Sequence, residues 1–309
     1  MKISLNHKRI KDRTKAIMCF IFLFFNSSIL LGQNPCNTII QKVYINDKAF
    51  MVYKEKLDEA KNNYIQNPSA DNLIWLGRRT AYLGHYKNAI DIYTKGIDQY
   101  PKDARFYRHR GHRYISIRCF NLAIIDFKKA VRLTRGKPNK VELDGLPNAL
   151  NIPTSTLQGN IYYHLGLAYY MQGKYRQALF AYKKCLSLAK NPDSYVAAAN
   201  WLYVINRQIG RDKDAQELLN SITDNMAVIE NMTYHEILKL YQGKNDPLEM
   251  EKTIRSGSSL TNATLAFGLG NYYSINGKQQ KAQEIFELVV NGNQWSSFGY
   301  IAAEAQLKQ

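Results

Sequence analysis

The residues best equipped for chemistry gather between positions 105 and 118. Arg105, Arg108, His109 and His112 follow one another there, with Arg110, Arg113 and Arg118 among them. Arginine forks bind carboxylates, phosphates and sulfates through paired hydrogen bonds. His109 and His112 lie three residues apart, and His164 precedes Gly166 as His109 precedes Gly111. Three imidazoles in such places could converge on a metal ion. No cysteine or carboxylate nearby completes a shell, and neighbouring helix axes lie roughly 8–10 Å apart. Hydrogen-bonding histidines are therefore the favoured reading, and no metal is expected. A basic helix face turned to water would produce the same run of charges. Nucleotide-binding glycine loops, HExxH and GxSxG are absent, so neither catalysis nor a cofactor is expected.

The elements that would position these groups repeat along the chain. Gly77, Ala89, Tyr93 and Gly96 return 34 residues later as Gly111, Ala123, Phe127 and Ala130. A third copy reads Leu165-Gly166, Tyr169, Gly173, Tyr175, Ala178, Tyr182 and Cys185. A fixed period of this length means stacked supersecondary units. Weaker copies follow at Trp201–Ile222 and Leu269–Val289, and the spacing between them leaves room for a degenerate pair near Thr233–Tyr241 and Pro247–Ser256.

These positions and spacings resemble the tetratricopeptide repeat family. The resemblance implies an all-α fold, a right-handed superhelical solenoid of antiparallel helix pairs. It also implies that the first helix of each pair lines a concave groove. Arg78 and Tyr82 would face that groove, then Arg105, Arg108, His109 and His112, then Tyr163, His164 and Tyr170, with Asn200, Arg207 and Asn271 further on. Peptide-binding members clamp a terminal carboxylate with Lys, Asn and Arg, and here Arg105, Arg108 and Arg207 would be the donors. No Lys and Asn pair stands four residues apart in the first copy, so a chaperone-type clamp is not carried over.

Both ends should be capped, because terminal repeats expose a face that no neighbour covers. Phe50, Tyr53, Leu57, Ala60 and Tyr64 form one apolar stripe of an amphipathic helix, ended by Asn67-Pro68. Residues 33–68 thus read as a lead and an opening cap, and 69–309 as the array. Ser297–Leu307 reads as a closing helix with Trp295 beneath it. Between Gly111 and Gly166 the period fails by 21 residues. The excess lies in 136–158, where Pro138, Pro147 and Pro153 exclude a helix. Thr154 or Ser155 is the expected cap of the helix that follows. Long irregular segments in compact folds are often functional. Leu143, Leu146 and Leu150 are expected to pin this one across the array, narrowing the groove, although a tolerated surface insertion fits the sequence equally.

Residues 1–32 stand apart. Six basic residues and one acid precede ten consecutive apolar residues, Ala16–Phe25, and a small residue follows at Gly32. This is the pattern of a secretory signal peptide, with export to the periplasm or medium after cleavage near Gly32. If the segment is retained instead, the protein stays near the membrane. The chain carries 42 Lys and Arg against 25 Asp and Glu, a formal charge of +17. Such an excess suits an acidic partner, and export argues against nucleic acid. Beyond the leader stand Cys36, Cys119 and Cys185, whose spacing fits no zinc pattern. Cys36 with Cys119 is the pair to test for a disulfide. The sequence thus points to an exported, non-enzymatic scaffold that binds a protein or peptide in a basic, aromatic groove. An envelope adaptor working through its outer surface, or a binder of anionic glycan, are the alternatives.

Overall fold

The computed structural model describes residues 40–41, 43–256 and 260–308, all within one compact unit, Pro35–Gln309. The leader at 1–32 and Cys36 lie outside the described residues. Among those described there are fourteen helices and no strand, with one isolated β-bridge between Val141 and Thr156. No described helix is long and apolar enough to cross a membrane.

An opening helix, α1 (Asp47–Gln66), precedes three helix pairs: α2 (Ala70–Tyr82) with α3 (Tyr86–Gln99), α4 (Ala104–Ser116) with α5 (Phe120–Thr134), and α6 (Leu157–Tyr170) with α7 (Tyr175–Leu188). Three more follow: α8 (Pro192–Gln208) with α9 (Asp212–Asn220), α10 (Met232–Tyr241) with α11 (Pro247–Ser256), and α12 (Leu260–Ile275) with α13 (Gln279–Val290). The last helix is α14 (Phe298–Gln306). In five of the six pairs the two helices pack together, whereas α11 packs on α12 rather than on α10, and the first helices touch one another, α2 on α4, α4 on α6 and α6 on α8. The fold is an all-α helical repeat solenoid, and those first helices form its inner layer.

One contact explains why the repeat exists. A Cβ at Gly77 would lie 2.4 Å from the ring of Tyr93, and one at Gly166 would lie 2.5 Å from Tyr182. Gly111 faces Phe127 and Gly270 faces Phe286 in the same way. The aromatic is always sixteen residues on, where the second helix returns past the first. Only a residue without a side chain lets the ring lie on the backbone. The rings reward this with burial: Tyr93, Phe127 and Tyr182 are almost wholly removed from water, each worth about 2–3 kcal/mol of apolar transfer.

The turns inside the pairs follow a second rule. Gly84, Gly173, Gly210, Gly243 and Gly277 all hold a positive φ between the two helices of a pair. In the second pair that place belongs to Arg118, 34 residues after Gly84, at φ 61°. A side chain in this region costs roughly 1–2 kcal/mol, so something must compensate. The compensation comes from the far end of the array. Nε of Arg118 donates to Glu304 at 2.8 Å, Nη2 donates to the Trp295 carbonyl at 2.8 Å, and the guanidinium sits 3.9 Å over the Trp295 ring. Trp295 in turn lies against Tyr86. The closing segment therefore reaches back to the first and second pairs, beyond the α12–α13 neighbour it was expected to cap.

Residues 135–156 contain no helix. They form a strap that pairs with its own return: Glu142 donates its amide to Ser155, and Leu157 donates to Lys140. Thr156 caps α6 by accepting from the Gly159 amide. Neither Thr154 nor Ser155 does so, because the Thr154 hydroxyl donates to Glu230 and the Ser155 carbonyl holds Glu142.

Candidate functional site

The strap crosses the inner face, held by polar groups. Side chains alternate along the extended stretch, so Val141 and Leu143 turn outward while Glu142 and Asp144 turn inward. Leu143, Leu146 and Leu150 are 62%, 45% and 61% exposed, so they do not pin the strap, and that expectation is corrected. Arg78 donates to the Leu143 carbonyl at 2.8 Å and Arg79 donates to the Gly145 carbonyl at 2.7 Å. Gly145 lies so close to Tyr82 that any side chain there would meet its hydroxyl.

Glu142 is the centre of this attachment. Its carboxylate lies 3.2 Å from Nε of Arg108 and 3.2 Å from Nε2 of His109, and it accepts from Asn160 at 2.8 Å. Burial pushes the Glu142 carboxyl up, but the Arg108 charge, the adjacent His109 ring and the Asn160 hydrogen bond prevail and hold it below the ordinary range. His109 is pushed down to about 3 by burial and then by Arg108, so its ring is neutral. Its Nδ1 accepts from Arg108 at 3.0 Å while Nε2–H faces Glu142. Tyr93 stacks on the same imidazole at 5.5 Å. The arginine fork predicted to hold a partner's carboxylate therefore holds one from its own chain.

The closing segment enters the inner face from the other side. Phe298 lies 5.2 Å from His112, 5.4 Å from His164 and 6.5 Å from Tyr163, measured between ring centroids. Between strap and closing helix remains a pocket of about 340 Å³. Arg108, His112, Tyr163, His164, Tyr234 and Phe298 are among its walls. His164 is pushed down to about 3, by burial and then Arg108, and Nδ1 donates to the Asn160 carbonyl at 2.6 Å. Its Nε2 is then a bare acceptor. His112 is driven well below its ordinary value by burial, Arg113 and His164.

Tyr163 and Tyr234 share a hydrogen bond of 2.8 Å, and the Trp201 indole donates to Tyr163 at 3.0 Å. Two hydroxyl protons serve one mutual bond, so one stays free to donate. The pocket thus offers an O–H donor and an imidazole acceptor among aromatic rings, with no uncompensated charge from Arg108. Its outer wall is built by Asp193, whose carboxylate accepts the amides of Ile229, Glu230 and Asn231. Asp144 also lines it, its carboxyl raised by burial and by Glu230.

Of the ten residues singled out in the sequence, Arg78, Tyr82, Arg108 and His109 meet the strap, and His112, Tyr163 and His164 line the pocket with Arg108. The other three lie elsewhere. Arg105 pairs with Asp71 and Asp103 at the edge of the array. Arg207 is held by Asp212, the Tyr203 hydroxyl and the Ile275 carbonyl. Tyr170 is fully buried against Trp201 and Phe267, with its hydroxyl on Asn271, because α12 packs on α8 and closes that end. Glu142 and Tyr234 were missed. Their place depends on contacts between distant segments, and no local spacing announces it. Arg118 had a signal, as the one departure from the turn glycine. Among the described residues no group of three or more His, Cys, Asp and Glu is placed to hold a metal.

The model of the tetratricopeptide repeat family matches residues 159–192. The small glutamine-rich tetratricopeptide repeat-containing protein 2 of Saccharomyces cerevisiae is 28% identical over 152 residues, 47% of this chain and 38% of that protein. The chain therefore spans well under half the length of that relative. Among solved structures, a tetratricopeptide repeat protein from Parabacteroides merdae aligns with a TM-score of 0.47 at 15% identity, covering 83% of this chain and 99% of that one. YrrB, described as a tetratricopeptide repeat protein with an unusual peptide-binding site, aligns with a TM-score of 0.44 at 15% identity, covering 81% and 99%.

Proposed function

The chain is a tetratricopeptide repeat protein, and from that premise we propose that it is an exported scaffold whose inner pocket receives one uncharged side chain, or one peptide amide, of a protein partner. The observation that carries this reading is the pocket between strap, α6, α8 and Phe298. It is too small for an extended peptide and suits one anchor residue. Its free hydroxyl donor and neutral imidazole acceptor match an amide or a hydroxyl. A carboxylate would find Arg108 already neutralised by Glu142. The net positive charge attracts an acidic partner over distance, while the pocket selects the anchor.

Two observations support export. One is the basic and then apolar leader. The other is that Cys119 is disulfide-bonded, a state that persists in oxidising compartments. Recognition without catalysis accords with the groups present. The Cys185 thiol is pushed up to about 12 by burial, and His109 and His164 are far too acidic as imidazolium ions to act as bases near neutral pH.

The test is site-specific cross-linking. A photoreactive benzoylphenylalanine at Ser194, on the pocket wall, should capture a partner segment that the same group at Gln216, exposed on α9, does not. Filling the pocket with Ser194→Trp should abolish retention of that partner. Identical adducts from both positions, or full retention by the filled variant, would overturn the reading.

A further inference from the structure

The charges of this chain are segregated. Between residues 127 and 192 stand eleven lysines and arginines against two acids, Glu142 and Asp144. Both acids turn to the inner face, Glu142 onto Arg108 and Asp144 into the pocket. The outer face of the third pair is left with cations alone.

There, α5, α6 and α7 enclose a second concavity of about 510 Å³. Its floor is aromatic and aliphatic: Tyr162, Leu165 and Tyr169 of α6, on the opposite side of that helix from Tyr163, with Val131 and Ala181 flanking them. Lys128, Arg132 and Arg135 form a rail along one rim at steps of four and three, and Arg176 faces them from α7. No acid is among the lining residues, and among the described residues no side-chain ion pair or side-chain hydrogen bond engages any of the four cations. Phe180 stands at the mouth, 71% exposed.

Helix electrostatics explain only part of this. Arg132 and Arg135 lie at the C-terminal end of α5, where the helix dipole favours a cation, but Arg176 lies in the first turn of α7, where it does not. Four unpaired cations around an apolar floor, with an aromatic ring left in water, are what an absent anionic and apolar occupant would complete. The concavity is recessed between helices, so it fits a segment entering it. A flat bilayer would need several apolar groups to protrude, and here Phe180 alone does so while Tyr162, Leu165 and Tyr169 stay recessed.

We infer that the outer groove between α5, α6 and α7 binds an acidic segment of a partner protein carrying a bulky apolar or aromatic residue. The apolar residue would lie on Tyr162, Tyr169 and Phe180, and the carboxylates would meet Arg132, Arg135 and Arg176. This surface is separate from the inner pocket, so the scaffold can hold two partners at once.

The test uses the full chain and a fluorescein-labelled synthetic peptide of Asp and Glu interspersed with Leu and Phe, read by anisotropy. Controls replace its acids by Asn and Gln, or its apolar residues by Ser. The expected result is binding of the acidic apolar peptide alone, weakened about tenfold or more in Arg132→Glu/Arg176→Glu, weakened also in Phe180→Ser, and unchanged in Ser194→Trp. All three outer positions are exposed, so the variants keep the fold. Arg132→Gln/Arg176→Gln repeats the measurement without charge reversal. Affinity unaltered in these variants would overturn the inference. So would binding to phosphatidylglycerol vesicles with none to the peptide, which would make the surface a lipid contact. Loss of the inner-pocket cross-link with this binding intact would sink the proposed function and leave the outer groove standing.

Discussion

The guanidinium of Arg118 lies 3.9 Å above the ring of Trp295, a residue 177 positions further along the chain. The same arginine holds a left-handed backbone where the other pairs have glycine. The closing segment is thus latched to the second pair, and Phe298 is carried into the inner face with it.

Substitution at this latch separates backbone strain from side-chain contact. Arg118→Ala keeps the strained turn and loses the contacts, whereas Arg118→Gly loses the contacts and relieves the turn. Both should destabilise the fold, by about 2–4 kcal/mol for alanine, since a buried charge-assisted network is lost. Glycine should cost about 1 kcal/mol less. Urea unfolding gives the two values, and amide exchange in α14 should quicken in both variants. Glycine proving no better than alanine would contradict the assignment of strain to this turn.

The repeat glycines predict a graded series. Alanine at Gly77 or Gly166 would drive a methyl into a buried tyrosine ring, while at Gly111 the nearest ring atom is 2.9 Å away. Gly77→Ala and Gly166→Ala should each cost about 1–3 kcal/mol and Gly111→Ala less, as read by thermal unfolding.

These glycines show what was legible in the sequence. Their spacing to Tyr93, Phe127 and Tyr182 is local packing written as a period, and so the helix pairs could be read from it. The inner face could not. Arg78 meets Leu143 across 65 residues and Arg118 meets Trp295 across 177, and no periodicity encodes such contacts. Apolar residues looked like anchors for the strap, yet alternation along an extended segment sends Val141 and Leu143 to water and Glu142 to Arg108. Charge attraction decided the strap's inner face. The turn glycines carried one further clue, because the exception at Arg118 marks the latch.

Acid should loosen the fold over a definite window. His109 and His164 are pushed down to about 3 in the folded protein, against about 6.5 when unfolded. Between these values the unfolded chain binds more protons, so stability rises with pH there. The contribution is complete above about 6.5 and is lost as the pH falls toward 3, at up to about 1.4 kcal/mol per pH unit for each histidine. His112, also shifted down, adds in the same direction. Denaturation midpoints at pH 7, 6, 5 and 4 (all on the approximate scale set by these values) should fall steadily, and His164→Gln should flatten the slope. A midpoint constant over this range would show that these imidazoles are not buried as described.

The Cys185 thiol, buried and pushed up to about 12, should resist iodoacetamide in the native protein at neutral pH. Its labelling should follow global unfolding in denaturant. Fast labelling of the native state would show that the inner pocket it borders admits the reagent to the sulfur.

The strap should resist proteolysis as long as Glu142 holds it. Trypsin should spare the bond after Lys140 in the folded wild-type protein and cut there readily in Glu142→Ala, with the helices left intact. Equal cutting in both would mean that Glu142 does not anchor the segment.

The self-occupied inner face rests on the pairing of Glu142 with Arg108, and a double-mutant cycle measures it most directly. Arg108→Met and Glu142→Gln should each cost about 3 kcal/mol or more by leaving a buried partner uncompensated. The double variant should cost at least about 2 kcal/mol less than the two together. Single effects that add within about 0.5 kcal/mol would mean that the two side chains do not meet, and the account of the strap as the occupant of the inner face would be contradicted.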